Sequence, residues 1–223
     1  MHKVLALFAL FFLVGYANEL QGAESSSDEP ERTRDSTVLF KAAGSYEEAL
    51  QIWQTPEDIN GWIAANFSYD TARALRLSET QRAKNERISI HAPSEFFHLK
   101  TGVCVDLSRF TVETLRRIDP NSVPKYLMIE FDPVQIKGNT LRLHWLVSFR
   151  RGGKIYFFAD SKRPGHICGP YNDVQNFIIE YEKYRQRKVV AFRELDSYEK
   201  QWRTPAEKQK HQKSPATGRE PKP

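Results

Sequence analysis

Three residues of this chain, Cys104, His144 and Asp160, follow one another in an order that suits thiol chemistry. Cys104 lies in Thr101-Gly102-Val103-Cys104-Val105-Asp106-Leu107, where a glycine-containing turn opens a helical pattern. A thiolate, not a thiol, is the nucleophile, so a reacting cysteine needs its pKa lowered. The first turn of a helix lowers it through unpaired backbone N–H groups and the positive end of the dipole. Those N–H groups can also donate to an oxyanion during acyl transfer. The plainer reading of Cys104 is a small buried residue filling the base of its helix. An imidazole and a carboxylate on neighbouring strands turn the balance toward nucleophilic catalysis.

The elements that must position these groups are legible in hydrophobic period and turn chemistry. Tyr46 to Trp53 predicts a short helix, with Ala49, Leu50 and Trp53 at helical spacing. Thr55-Pro56-Glu57-Asp58 offers an N-cap, a Pro at the first helical position and acids in the first turn. The helix it opens carries Ile59, Trp62, Ile63 and Phe67 on one face. Ala72 to Arg87 is charged and weakly helical, and is expected outside the core. Glu95 to Leu99 reads as one apolar-faced turn. From Cys104 a helix is predicted to Ile118, with Leu107, Phe110, Thr111, Thr114, Leu115 and Ile118 repeating at three and four, and Asp119-Pro120-Asn121 ends it.

Beyond that point the period changes to two. Tyr126–Phe131, Leu141–Phe149 and Lys154–Ala159 read as strands, with turns at Asp132-Pro133 and Arg151-Gly152-Gly153. Asn172 to Tyr184 reads as an amphipathic helix and Lys188 to Leu195 as a last strand. Helices first and an antiparallel sheet afterwards predict an α+β domain. Within the second strand Leu143, Trp145, Val147 and Phe149 share one face, leaving His144, Leu146 and Ser148 on the other. A three-residue Arg151-Gly152-Gly153 loop pairs Arg150 with Lys154 and sets His144 opposite Asp160, about 5 Å away. A two-residue Gly-Gly loop places them on opposite faces.

The stretch Lys100 to Ser108, the His144-Trp145 strand and the aromatic strand ending at Asp160 resemble the transglutaminase-like superfamily of papain-fold cysteine enzymes. Asn66-Phe67-Ser68-Tyr69-Asp70 is similar to the segment before the nucleophile in bacterial members. The resemblance covers Ile52 to Asp160 and implies a transglutaminase-like, papain-like core. In that core the nucleophile sits at a helix N-terminus packed on an antiparallel sheet. It implies Cys104 as nucleophile, His144 as general base and acid, and Asp160 as the residue orienting His144. Members include transglutaminases, peptidases and peptide amidases, and some have lost activity, so the acyl acceptor stays open. Asp106 matches an acid common two residues after the family's nucleophile, and in a first helical turn a structural role suits it. Tyr69 and His98 are candidates for the oxyanion, beside the simpler readings of a core tyrosine and a surface histidine.

Composition bounds the rest. The chain has 223 residues, 40% of them apolar and 12% aromatic, enough for one sizeable globular domain. A net charge of +5, much of it in the C-terminal tail, comes without a basic stripe interleaved with aromatics, so no nucleic-acid partner is expected. Lys3 followed by the apolar run Val4 to Val14 reads as a secretory signal, with cleavage after Ala17 or Ala23. That run falls short of the about 20 residues a membrane span needs. An uncleaved anchor is the alternative. The domain plan is a signal peptide over 1–23, a disordered linker over 24–37, the transglutaminase-like domain over 38–204 and a disordered basic tail over 205–223. An exported chain with two cysteines, Cys104 and Cys168, either pairs them or leaves both free. His91, His98 and His166 match no common ligand spacing, and no loop resembles an EF-hand, so neither a metal nor a cofactor is expected.

The expectation is an exported, periplasmic or secreted cysteine enzyme. It would act on amide bonds of a protein or peptide through a thioester, by hydrolysis or acyl transfer, and touch the membrane only through the signal segment during export. The alternatives are an inactive exported protein holding a peptide or cell-wall ligand in the same groove, and a membrane-tethered structural factor.

Overall fold

Strong local start signals set the helical half. In the computed structural model, which describes residues 28–31, 37–84 and 88–199, Ser45 caps α1 (Tyr46–Ile52) and Thr55 caps α2 (Pro56–Asn66). The Thr55 cap and Pro56 fall where the sequence predicts, and Thr55 and Asp58 add a reciprocal capping box. A two-residue strand β1 (Ser68–Tyr69) follows, then short helices α3 (Thr71–Arg76) and α4 (Glu79–Ala83), and α5 (Pro93–Leu99). Strand β2 (Thr101–Gly102) pairs in parallel with β1 and feeds α6 (Cys104–Ile118). The sheet is built from β3 (Lys125–Ile136), β4 (Asn139–Arg151), β5 (Lys154–Phe158), β6 (Cys168–Tyr171) and β7 (Val189–Leu195). One more helix, α7 (Val174–Arg185), precedes β7. The sheet order is β6-β5-β4-β3-β7, every neighbouring pair antiparallel. The α+β class follows directly.

Two cores lie on the two faces of this sheet. On one, Trp145, Val147 and Phe149 of β4 meet Leu107, Phe110 and Leu115 of α6, backed by Trp53, Trp62 and the pair Phe96 and Phe97. Trp62 stacks on Phe97 with centroids 5.1 Å apart. On the other face, Leu127, Ile129, Phe131, Leu146 and Phe157 pack against Phe177, Ile178 and Tyr181 of α7. Burying each such side chain contributes about 1.5–3 kcal/mol. The alternation along β4 therefore sorts residues between two cores, as its period of two predicts. Among the described residues no helix is long and apolar enough to cross a membrane.

The structure corrects two sequence expectations here, adds a strand the sequence did not announce and decides the hairpin loop. Ala72 to Arg87 does not all lie outside the core. Arg73 is buried and its guanidinium holds Asp106 at 2.7 and 2.8 Å, while Ala74, Leu77 and Ser78 are also buried. Residues 85–87 lie outside the described residues. Asp132-Pro133 is not a turn but an irregularity inside β3, where the register with β4 shifts between Glu130 and Val134. Proline has no N–H for the ladder, so pairing breaks locally and resumes. The turn lies at Lys137-Gly138, both at positive φ. Strand β6 carries Gly169 and Pro170, so no alternation announces it. Finally, the β4–β5 hairpin uses the two-residue Gly152-Gly153 loop, with φ of 57° and 73°, and pairs Arg151 with Lys154.

Candidate active site

Residues flanking Cys104 fix the start of its helix. Asp106 Oδ2 accepts the Val103 N–H at 3.0 Å, and Asp106 Oδ1 accepts the His91 N–H at 2.9 Å. With Arg73 on the same carboxylate, Asp106 ties α3, the chain before α5 and the α6 N-terminus together. Its role is structural, as the first-turn position suggests. Gly102 serves differently from expectation. A Cβ there would meet Phe96 at 2.9 Å and Asp106 at 3.0 Å, so close approach is what demands glycine. The β1–β2 pairing sets Tyr69 beside Gly102.

With the two-residue hairpin, strict alternation places His144 and Asp160 on opposite faces, yet the two meet. Pairing between β4 and β5 ends at Val147–Phe158, and Ala159 takes a positive φ of 57°. That left-handed residue turns the chain, and Asp160 Oδ1 reaches His144 Nε2 at 3.1 Å. The expected proximity is present, by a route other than cross-strand register. Asp160 Oδ1 also accepts the Lys162 N–H at 2.9 Å, and Asp160 Oδ2 accepts the Tyr181 O–H at 2.9 Å. The Tyr181 oxygen lies 3.0 Å from Nε2, its ring stacks on the imidazole, and Arg185 donates to it at 3.1 Å.

The imidazole also faces Cys104 and a residue from far upstream. Cys104 Sγ, a ring nitrogen of His144 and a carboxylate oxygen of Asp28 lie within 4.8 Å of one another. Asp28 Oδ1 is 3.1 Å from Nδ1, off the line of a well-aligned hydrogen bond, and accepts Arg185 Nη2 at 2.6 Å. Asp28, Tyr69, Val103, Cys104, Leu143 and Trp145 line the cleft at this point. The stretch read as solvated linker thus supplies a carboxylate to the site. His98, by contrast, is exposed at the end of α5. Cys168 bonds Arg163 at 3.3 Å, and both cysteines are free thiols.

Electrostatics follow from this geometry. Burial opposes charge on His144, but Asp28 and Asp160 outweigh it and hold the imidazole pKa well above its ordinary value. Burial likewise opposes ionisation of Asp28 and Asp160, yet His144 and Arg185 keep both far below the usual carboxylate range. The Cys104 thiol goes the other way from the helix-start expectation. Burial pushes it up, His144 pulls it down, and the Asp28 charge adds to the rise. The surroundings thus favour the charged form of His144 and the neutral form of the Cys104 thiol.

The structure brings Cys104, His144 and Asp160 together and sets Asp28, Tyr181 and Arg185 beside them, which sequence reasoning did not single out. Tyr181 and Arg185 are four apart on α7, the spacing that puts both on one helix face, but nothing local marks that face as polar. Asp28 sits in a run of charges with no distinguishing signal. Asp28, Cys104 and His144 are also donors that zinc accepts, a trio that histidine spacing alone could not reveal.

A thiol at a helix N-terminus, an imidazole on the adjoining strand and a carboxylate behind it on an antiparallel sheet define the papain-like class of thiol site. Residues 45–189 match the family described as a transglutaminase-like domain, and the chain belongs to that family. No curated protein matches it.

Proposed function

We propose that the chain is an exported thiol enzyme that cleaves or transfers amide bonds of a protein or peptide. Cys104 acts as nucleophile, His144 as base and acid, and Asp160 as the group that orients His144. The observation that carries this reading is the grouping of Cys104 Sγ within 4.8 Å of a His144 ring nitrogen, with His144 Nε2 in turn 3.1 Å from Asp160 Oδ1. In the reaction, His144 first releases its proton, and the Cys104 sulfur then bonds to the amide carbonyl carbon as the thiol proton passes to the neutral imidazole. The C–N bond breaks, and His144 returns the proton to the leaving amine. Water or a second amine attacks the thioester and gives its proton to His144, releasing Cys104. Hydrolysis is the favoured outcome by analogy with bacterial relatives.

A second reading, a non-catalytic groove that holds a peptide, is favoured by one observation: Asp28 already lies against His144. Alkylation of Cys104 by iodoacetamide across pH separates the two. It is run on the full chain and on Asp28→Ala, each with and without His144→Ala. An enzyme shows a Cys104 rate that falls at least about tenfold, roughly one unit in apparent thiol pKa, when His144 is removed. A Cys104 that behaves as an ordinary thiol indifferent to His144 in both chains leaves only the binding groove.

A further inference from the structure

Arg185 is a guanidinium with a side chain that is 0% exposed, at the last turn of α7. Its plane lies over Phe131 at 5.2 Å, and it donates to Tyr181 Oη and to Asp28. A buried cation of this kind needs a carboxylate, because loss of hydration is otherwise uncompensated. Asp28 also contacts His144, so two cationic groups converge on one carboxylate beside the sulfur of Cys104. Taking Asp28 away leaves Arg185, Arg163 and His144 around the single carboxylate of Asp160, with positive charge in excess. Either ionised Cys104 or an incoming carboxylate restores the balance.

The segment that brings Asp28 here is lightly held. Glu29 Oε1 accepts the Thr71 hydroxyl at 2.6 Å, and the Glu31 N–H donates to Lys162 O at 3.2 Å. Glu29 and Glu31 are themselves exposed. Residues 28–31 thus bridge α3 on one wall of the cleft and the chain after Asp160 on the other, without entering either core. With few buried apolar contacts, the segment's opening is resisted chiefly by the Asp28 ion pairs.

We propose that Arg185 and His144 form a carboxylate-binding subsite beside Cys104, and that Asp28 of the chain's own N-terminal segment fills it in the resting protein. The segment is a tethered occupant that keeps the thiol quiet. Once it leaves, the subsite takes an acidic peptide side chain or a peptide C-terminal carboxylate of the substrate. A planar guanidinium suits this, since its paired donors match the carboxylate fork. The subsite rests on the enzyme reading only in that the carboxylate it accepts belongs to a substrate.

Two small reagents read the subsite without knowing the substrate. Iodoacetamide is neutral and iodoacetate carries a carboxylate. In both, the Cys104 sulfur bonds to the methylene carbon as iodide leaves. In the full chain, Asp28→Ala is expected to raise iodoacetamide alkylation of Cys104 about tenfold near neutral pH, the effect of one unit in thiol pKa. Iodoacetate gains more than iodoacetamide, and Arg185→Gln in the Asp28→Ala chain removes that extra gain. Acetyl-Asp-Glu-Pro-Glu-amide added to Asp28→Ala slows alkylation again, while its Asn-Glu-Pro-Glu counterpart does not. Unchanged rates in Asp28→Ala, or equal effects of the two peptides, overturn the subsite whether or not Arg185→Gln folds. The enzyme reading fails separately, if Cys104 in Asp28→Ala ignores His144→Ala while iodoacetate keeps its advantage.

Discussion

At the scale of single residues, the site is a chain of charges in which each member holds the next. Asp160 is the hinge of that chain, since it meets His144, Tyr181 and the Lys162 N–H at once. Replacing it with Asn removes one partner of a buried ion pair, a change that costs on the order of 3–5 kcal/mol. Asp160→Asn is therefore expected to lower the urea midpoint and to bring the His144 pKa down in an NMR titration. A His144 titration that does not move would show that Asp28 alone sets its charge. Cys104, His144 and Asp160 were legible because a thiol lay at the start of a readable helix, an imidazole within a readable strand and a carboxylate just past the end of another. Asp28 was not, because a carboxylate within Ser-Ser-Ser-Asp-Glu-Pro-Glu looks like its neighbours. Only three-dimensional closure singles it out.

At the scale of elements, periodicity was reliable and loop length was not. The α6 repeat and the alternation of β4 predicted which residues face which layer, and both cores follow them. The glycine pair at 152–153 is compatible with two- and three-residue turns, and sequence chemistry does not choose between them. The consequence for the site is that Ala159, not the ladder, delivers Asp160. Similarly, Arg73 looked like one more charge on an exposed stretch, because its partner Asp106 lies on another helix. Close packing at the β2–α6 junction makes a sharper test. Gly102→Ala forces a Cβ into Phe96 and Asp106, and overpacking of this type costs about 1–3 kcal/mol. The expected result is a lower melting temperature together with a slower, less His144-dependent Cys104. A variant as stable and as reactive as the parent would mean that the α6 N-terminus tolerates displacement.

At the scale of the whole molecule, the buried charges tie stability to pH from both sides. Asp28 and Asp160 are depressed in the fold, so their contribution is present above the ordinary carboxylate pKa of about 3.9 and is lost as pH falls through their lower folded values. His144 is raised, so its contribution is complete below about 6.5 and is lost as pH climbs through its higher folded value. Unfolding free energy from urea titrations should therefore decline on the alkaline side in the parent. The His144→Asn variant should lack that part of the decline, and an identical alkaline slope in both would refute the assignment. The two-layer arrangement carries a further implication. Cys104 is anchored in the aromatic cluster on one face of the sheet, while His144 and Asp160 lean on Tyr181 and the α7 side of the other. Sulfur and imidazole are thus seated against cores on opposite faces of one sheet, and β4 contributes to both. If Cys104 and His144 act together as proposed, their separation depends on how the two cores are seated, and a displacement of about 1 Å is expected to cost on the order of a hundredfold in rate. Mild pressure, cold or a cavity remote from the cleft would then register in chemistry well before it registers in unfolding.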